Sequence, residues 1–90
     1  MRRDIAVIVD DAVTVDSLVA CALSQSGELM RDLVVFDVYR GQGVEAGKKS
    51  VALGLIWQDD AETLTDVRVD EAVARVVASL AEQFDARLRD

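Results

Sequence analysis

The stretch FDVYRGQGVEAGKKSVALGLIWQ, residues 36–58, contains two strand-like runs separated by a glycine-containing connection. Residues 50–58 alternate between large apolar side chains and small or polar ones, as a strand with one buried face does. Residues 29–40 alternate in the same way and are rich in β-branched and aromatic residues. The pattern predicts a β-hairpin with a long connection over residues 41–49.

A strand and a helix are predicted before this hairpin. Residues 4–9, DIAVIV, form a short run rich in isoleucine and valine, which is typical of a buried strand. Apolar residues then recur at helical spacing over residues 15–23. Thr14 is a suitable N-cap for this helix, and Gly27 is a natural stop.

A second helix and a short strand are predicted after the hairpin. The letters TLTD, residues 63–66, lead into one apolar stripe at helical spacing, made by Val69, Val73, Val76, Val77, Leu80 and Phe84. The tail ARLRD, residues 86–90, has room for one short strand. The order βαββαβ predicts an α+β fold, the ferredoxin-like split βαβ sandwich, with a four-stranded antiparallel sheet. Right-handed crossovers place both helices on one face of that sheet and leave the other face open.

Composition limits the functions that are possible. The chain has 90 residues, no histidine and one cysteine, so the commonest general base is missing. Cys21 alone can form neither an internal disulfide nor a cysteine-based metal site. No run approaches the ~20 apolar residues that cross a membrane. We expect one domain over residues 1–90, not an enzyme by itself, with no metal or cofactor of its own, in the cytoplasm and without a membrane partner.

Strand alternation sorts the hairpin residues onto two faces. Val51, Leu53, Leu55 and Trp57 share one parity and suit a core, whereas the alternate residues are small or polar apart from Ile56. The preceding strand shows an unbroken apolar row made by Val34, Phe36 and Val38. The residues between them, Asp37 and Tyr39, are therefore predicted to point outward beside Ser50 and Ala52.

These outward side chains predict a site of nucleobase size. A carboxylate such as Asp37 accepts from the paired N–H donors of guanine, and a ring such as Tyr39 stacks on a base. The net charge of −7 alone argues against nonspecific nucleic-acid binding. The stretch between Tyr39 and Ser50 nevertheless carries a local charge of +2, because Glu45 offsets only one of the basic residues Arg40, Lys48 and Lys49. Phosphates could pass beside these basic residues.

The same residues have plainer interpretations. Tyr39 can serve cross-strand packing, and Asp37 can be a solvated strand residue. A lysine pair at a hairpin tip aids solubility and discourages edge association. Arg2 and Arg3 are expected to be a flexible basic terminus.

Several separated motifs resemble one known family in the right order. RRDIAVIVD at residues 2–10, FDVYRG at 36–41, GKKS at 47–50, TLTD at 63–66 and FDARLR at 84–89 are similar to the ferredoxin-fold anticodon-binding domain of the bacterial phenylalanyl-tRNA synthetase β subunit. The resemblance covers essentially the whole chain. It implies that this domain binds the anticodon stem-loop of tRNA-Phe, whose first anticodon base is guanine, and that it does not bind DNA.

The resemblance also implies roles for individual residues and partners. Tyr39 matches the aromatic that stacks on the guanine, Asp37 the carboxylate bonded to it, and Ser50 a further polar contact. Arg40, Lys48 and Lys49 would contact the RNA backbone without reading it. The domain would be part of a longer β subunit that works with a catalytic α subunit, and the parent enzyme would use ATP and magnesium.

The sequence departs from the family pattern in two places. Val67 and Arg68 stand where acidic residues usually follow TLTD, and Asp85 stands where glycine is common. The first change should weaken the helix N-terminus slightly, and the second should fit a left-handed helix end less well.

Another class of function stays open at this stage. Ferredoxin-like sandwiches also serve as small-molecule-binding or oligomerising regulatory modules. An acylphosphatase-like enzyme is disfavoured, because the place of its phosphate loop after the first strand holds the acidic letters DDAVTVD, residues 10–16.

Overall fold

The computed structural model describes residues 2–25, 30–57 and 65–89. Its elements are β1 (Arg2–Asp10), α1 (Val15–Gln25), β2 (Met30–Tyr39), β3 (Lys48–Trp57), α2 (Asp66–Phe84) and β4 (Arg87–Leu88). This is the predicted order of elements. The predicted boundaries at Gly27, Leu29 and Gln58 lie outside the described residues.

The four strands form one antiparallel sheet in the order β2-β3-β1-β4. The core cluster joins one parity of the central strands to residues of both helices, including Leu18 of α1 and Val76 of α2. Both helices therefore cover the same face of the sheet, and the predicted ferredoxin-like α+β fold is confirmed.

The core row predicted for β3 is confirmed. Val51, Leu53 and Leu55 are fully buried, and Trp57 is 3% exposed. Each fully buried aliphatic side chain of this kind contributes roughly 1.5–3 kcal/mol by leaving water. This row anchors the helices on one face of the hairpin.

The apolar stripe of α2 faces the core as predicted. Val69, Val76 and Leu80 are fully buried, whereas Val73 and Phe84 pack against the cluster from its margin. The opposite side of the helix is exposed. The helix therefore uses one stripe for packing and leaves the other in water.

The apolar row predicted for β2 is wrong, because the strand contains a β-bulge. Val35 pairs with Leu53 and Asp37 with Ala52, so Phe36 is an extra residue without a partner on β3. An inserted residue exchanges the faces of everything after it. Leu33 and Val35 consequently pack toward the core, whereas Phe36 is 52% exposed.

The helix ends show how the departures from the family pattern are accommodated. The Thr65 side chain accepts a hydrogen bond from the Arg68 backbone N–H at 3.2 Å and caps the start of α2. Thr14 caps α1 as predicted, since its Oγ1 accepts from the Ser17 N–H at 3.2 Å. Asp85 ends α2 in the left-handed conformation, with φ 56° and ψ 30°. Asp85 therefore adopts the geometry that glycine would adopt more easily.

The basic N-terminus is ordered rather than flexible, since Arg2 and Arg3 both belong to β1. Arg3 donates to the Asp66 carboxylate at 3.0 Å and to the Asp70 carboxylate at 3.4 Å. The hydrogen bond that Arg3 donates to Asp66, reinforced by the bond to Asp70, raises the pKa of the Arg3 guanidinium. These bonds connect β1 to the first turn of α2.

Neither helix in the described part of the chain is long and apolar enough to span a membrane.

Candidate nucleic-acid interface

The register of β2 and β3 places two predicted site residues side by side on the open face. Tyr39 pairs with Ser50 and Asp37 with Ala52. Ser50 and Ala52 alternate with the buried Val51, so their side of the strand faces away from the helices. The predicted outward orientation of Asp37 and Tyr39 is confirmed, although the apolar row from which it was inferred is not regular.

The Tyr39 ring is held by the hairpin connection. Its hydroxyl donates to the Gln42 carbonyl oxygen at 2.9 Å. Gly41, with φ 135°, passes so close that a Cβ there would lie 3.3 Å from that hydroxyl. The connection therefore orients the ring and requires glycine at this contact.

One face of the Tyr39 ring carries an arginine that strand alternation did not indicate. The Arg89 guanidinium carbon lies 5.1 Å from the ring centroid, which is within the range of a cation–π contact. The Arg89 backbone N–H donates to the Ala6 carbonyl oxygen at 2.8 Å and extends the pairing of β4 with β1. Arg87 pairs with Ile8 on the same face. The period-two spacing of the two arginines in ARLRD was the signal that could have revealed them.

A second arginine–aromatic contact lies further along the open face. The Arg2 guanidinium carbon is 5.4 Å from the Phe36 ring centroid, and Arg2 Nε donates to the Asp4 carboxylate at 2.7 Å. A Cβ at Gly54 would lie 2.8 Å from Arg2 Nη2 and 2.9 Å from Val34 Cγ2. Glycine therefore provides the space in which Arg2 rests against the sheet. Sequence alternation could not find this pair, because the bulge brings Phe36 to the open face.

Ser50 lies beside Tyr39 but is only 3% exposed. A direct contact between its hydroxyl and a base therefore requires the side chains around it to move. Asp37 is exposed and Tyr39 is half-buried, so these two are the more accessible members of the predicted set.

The three residues predicted to contact phosphate have different surroundings in the structure. Lys48 is half-buried and shares the open-face parity of Ser50. Arg40 instead donates to the Asp11 carboxylate at 2.6 Å, and both of these side chains are about half exposed. Lys49 is only 5% exposed, and its Nζ donates to the Asp11 carbonyl oxygen at 3.1 Å.

The expectation that Lys49 contacts phosphate does not fit this placement. Lys49 lies on the same side of β3 as the core residue Val51, so its side chain is buried at the end of the core. Its ammonium group binds a backbone carbonyl of the loop after β1. Adjacent lysines in a strand point to opposite faces, and only Lys48 lies on the open side.

Within the described ranges, no group of three or more acidic, cysteine or histidine side chains is arranged to hold a metal ion. The open face presents groups capable of stacking, hydrogen bonding and ion pairing. Its rings, carboxylate and guanidinium groups are the types that recognise unpaired bases and phosphates in RNA.

Comparison with known proteins agrees with this chemistry. A family model described as the ferredoxin-fold anticodon binding domain matches residues 1–89. The chain is 53% identical over 90 residues to the phenylalanine–tRNA ligase β subunit of Methylococcus capsulatus. It is 47% identical over 89 residues to that of Aliivibrio fischeri and 44% identical over 90 residues to that of Psychrobacter arcticus. These alignments cover 99–100% of this chain but 11% of each relative.

Proposed function

The chain belongs to the family of ferredoxin-fold anticodon-binding domains, and on this basis we propose that its open sheet face binds the anticodon stem-loop of tRNA-Phe. The domain would act as the tRNA-binding, non-catalytic part of a phenylalanine–tRNA ligase β subunit. ATP-dependent attachment of the amino acid would take place in the α subunit of that enzyme. The rest of the β subunit and the α subunit are then its protein partners.

The observation that carries this proposal is the pairing of Asp37 with Ala52 and of Tyr39 with Ser50. This register presents a carboxylate and an aromatic ring on a surface that the helices do not cover. The neighbouring side chains on β3 are small, so a flat base can approach the sheet closely. The arrangement suits a single unpaired base that is read at its edge and stacked on its face.

Guanine fits these two groups. Its Watson–Crick edge carries two adjacent N–H donors, which a carboxylate accepts, and the other bases lack this pair. Stacking on the Tyr39 ring would supply affinity that depends little on base identity. Asp37 would therefore determine which base is preferred, and Tyr39 would determine how tightly any base is held.

Arg89 has a place in this binding event, because its guanidinium lies on the ring that the base would use. A base that takes this position displaces the guanidinium, which is then free to bind a phosphate oxygen of the same strand. Lys48 lies on the same side and would contribute a second backbone contact. Arg40 can join them only by leaving Asp11.

A titration of the chain with the tRNA-Phe anticodon stem-loop tests the proposal. A second loop, in which the first anticodon base is changed from guanine to adenine, measures base choice. We expect Tyr39→Ala to weaken binding to both loops by ~1–3 kcal/mol. Asp37→Asn should reduce the preference for guanine more than it reduces the overall affinity.

Asp16→Asn is the matched control, because Asp16 is an exposed carboxylate on α1, away from the open face. It should leave both affinities unchanged. Equal affinity of the parent chain for the two loops would refute the reading of guanine. A parent chain that binds neither loop would refute the proposed function for this chain.

A further inference from the structure

We propose that Phe36 and Arg2 form a second base-stacking site on the open sheet face. This site would take the nucleotide that neighbours the base stacked on Tyr39. The inference rests on the proposed function and extends the recognised RNA from one nucleotide to two.

The first observation is the position of Phe36. A phenylalanine in a strand ordinarily packs into the core, yet this ring is 52% exposed on the face without helices. The bulge between Val35 and Asp37 is what turns it there. Bulges occur where a strand must direct a side chain to a chosen side, so the exposed ring is a product of the backbone and not of a mobile side chain.

The second observation is the arginine over the ring. The Arg2 guanidinium carbon lies 5.4 Å from the Phe36 centroid, and Arg2 Nε also donates to the Asp4 carboxylate at 2.7 Å. Gly54 leaves the space beneath it. Aromatic rings and guanidinium planes both stack on unpaired bases, and arginine also binds phosphate. The pair therefore has both groups that a nucleotide requires.

The third observation is repetition. Phe36 with Arg2 and Tyr39 with Arg89 are two arginine–aromatic contacts on one side of one sheet. Their aromatic residues stand three positions apart on β2, which corresponds to ~10 Å along a strand. Other four-stranded sheets with aromatics on an open face stack two or three successive bases of a single strand. The spacing and the chemistry thus suit two splayed nucleotides of one loop.

A protein partner suits this face less well. The centre of a protein–protein interface is depleted in charged residues. Here Arg2, Asp4, Asp37 and Arg89 surround the two rings, and each would have to be desolvated beneath an apolar partner. Nucleotides offer both the aromatic faces and the charged oxygens that these side chains can use.

The test is a set of titrations of the 90-residue chain with stem-loops that each lack one base, at the guanine position or at either neighbour. With the intact loop, we expect Phe36→Leu to weaken binding about 5- to 100-fold, as loss of one stacked base does. With the loop that lacks one neighbouring base, Phe36→Leu and the parent should bind equally. Tyr39→Leu should lose its effect only on the loop that lacks the guanine.

Two further variants separate stacking from folding. Phe36→Tyr keeps an aromatic face and should bind like the parent. Arg2→Gln should weaken binding to the intact loop and should lose this effect with the loop that lacks the same neighbouring base. Val67→Ala removes an exposed apolar group on α2 and is the control for general surface effects. Thermal unfolding of each variant verifies that the fold persists.

The outcomes distinguish failure of the second stacking site from failure of the proposed function. If Tyr39→Leu weakens binding and Phe36→Leu does not, the second site is refuted and the first survives. If Phe36→Leu weakens binding to all loops equally, its effect is structural and the second site is refuted. If neither variant changes binding, or the parent binds no loop, the proposed function fails and the second site fails with it.

Discussion

The two faces of β3 have opposite constructions, although they belong to the same ten residues. On the helix side Leu53 and Leu55 are fully buried and fill the core. On the open side Ala52 and Gly54 hold almost no side-chain volume, and Arg2 from β1 lies over Gly54 and against the Phe36 ring. The first face gains stability from large residues of the strand itself. The second has small residues at its centre, so that groups from other strands can be presented to a ligand there.

The largest difference between the two faces is expected when one large residue on each of them is replaced by alanine. Leu53→Ala should lower the free energy of unfolding by ~2–5 kcal/mol, because it leaves a cavity in the core. Ile56→Ala on the open side of the same strand should cost clearly less, since Ile56 is already half-exposed. Urea unfolding of both variants provides the measurement. Equal losses would show that the open face is as tightly packed as the core.

Adding a methyl group to the open face is the next test. Gly54→Ala should lower the free energy of unfolding by about 1–3 kcal/mol, because the new Cβ would press on Val34 Cγ2 and Arg2 Nη2. It should also displace Arg2 from Phe36 and weaken RNA binding in the same way as Arg2→Gln. A gain in stability on urea unfolding, as alanine gives at an unhindered strand glycine, would contradict this account.

A smaller effect is expected at the end of α2, outside both faces. Asp85→Gly should raise the free energy of unfolding by about 0.5–1 kcal/mol, because glycine adopts positive φ without steric cost and removes a carboxylate from the helix C-terminus. Asp85→Asn separates the two causes, since asparagine tolerates this conformation but is uncharged. RNA affinity should not change in either variant. If both variants unfolded at the parental midpoint, neither the positive φ nor the charge of Asp85 would destabilise the end of α2.

The smallest effect is expected for Arg40. Its pair with Asp11 is about half exposed, and such surface pairs contribute roughly 0–1 kcal/mol. Arg40→Gln should therefore change the unfolding midpoint little and should weaken RNA binding less than Tyr39→Ala does. A loss of RNA affinity as large as that of Tyr39→Ala would show that Arg40 leaves Asp11 for the RNA.

The fold could be predicted where periodicity is regular. The alternation of β3 predicted the buried Val51, Leu53, Leu55 and Trp57, and the stripe of α2 predicted Val69, Val76 and Leu80. These patterns are reliable because one face of each element is covered by a single continuous core. The resemblance of separated motifs to one family independently supported the order of elements that periodicity had predicted.

The site could be predicted only in part. Asp37 and Tyr39 were assigned to the correct face, yet the register that places them depends on a bulge at Phe36 that alternation cannot show. The same bulge conceals Phe36 itself. Lys49 was assigned by its neighbours in sequence, whereas strand geometry turns it to the core side and to the Asp11 carbonyl.

The arginines of the open face were missed for a related reason. Arg2, Arg87 and Arg89 lie near the two ends of the sequence, and only the pairing of β1 with β3 and β4 brings them beside the hairpin. A local pattern indicates which way a residue points, but the residue that it meets across the sheet depends on strand order.

The chain contains one natural aromatic probe on each face of the sheet, so that RNA binding to the open face can be tested directly. Tyr39 is the single tyrosine and lies on the open side, whereas Trp57 is the single tryptophan and is buried on the helix side. The most direct measurement is the proton NMR spectrum of both rings during titration with the tRNA-Phe anticodon stem-loop. We expect the Tyr39 ring signals to shift upfield on stacking and the Trp57 indole signals to stay in place. Saturable binding that shifts Trp57 and leaves Tyr39 unchanged would contradict this expectation.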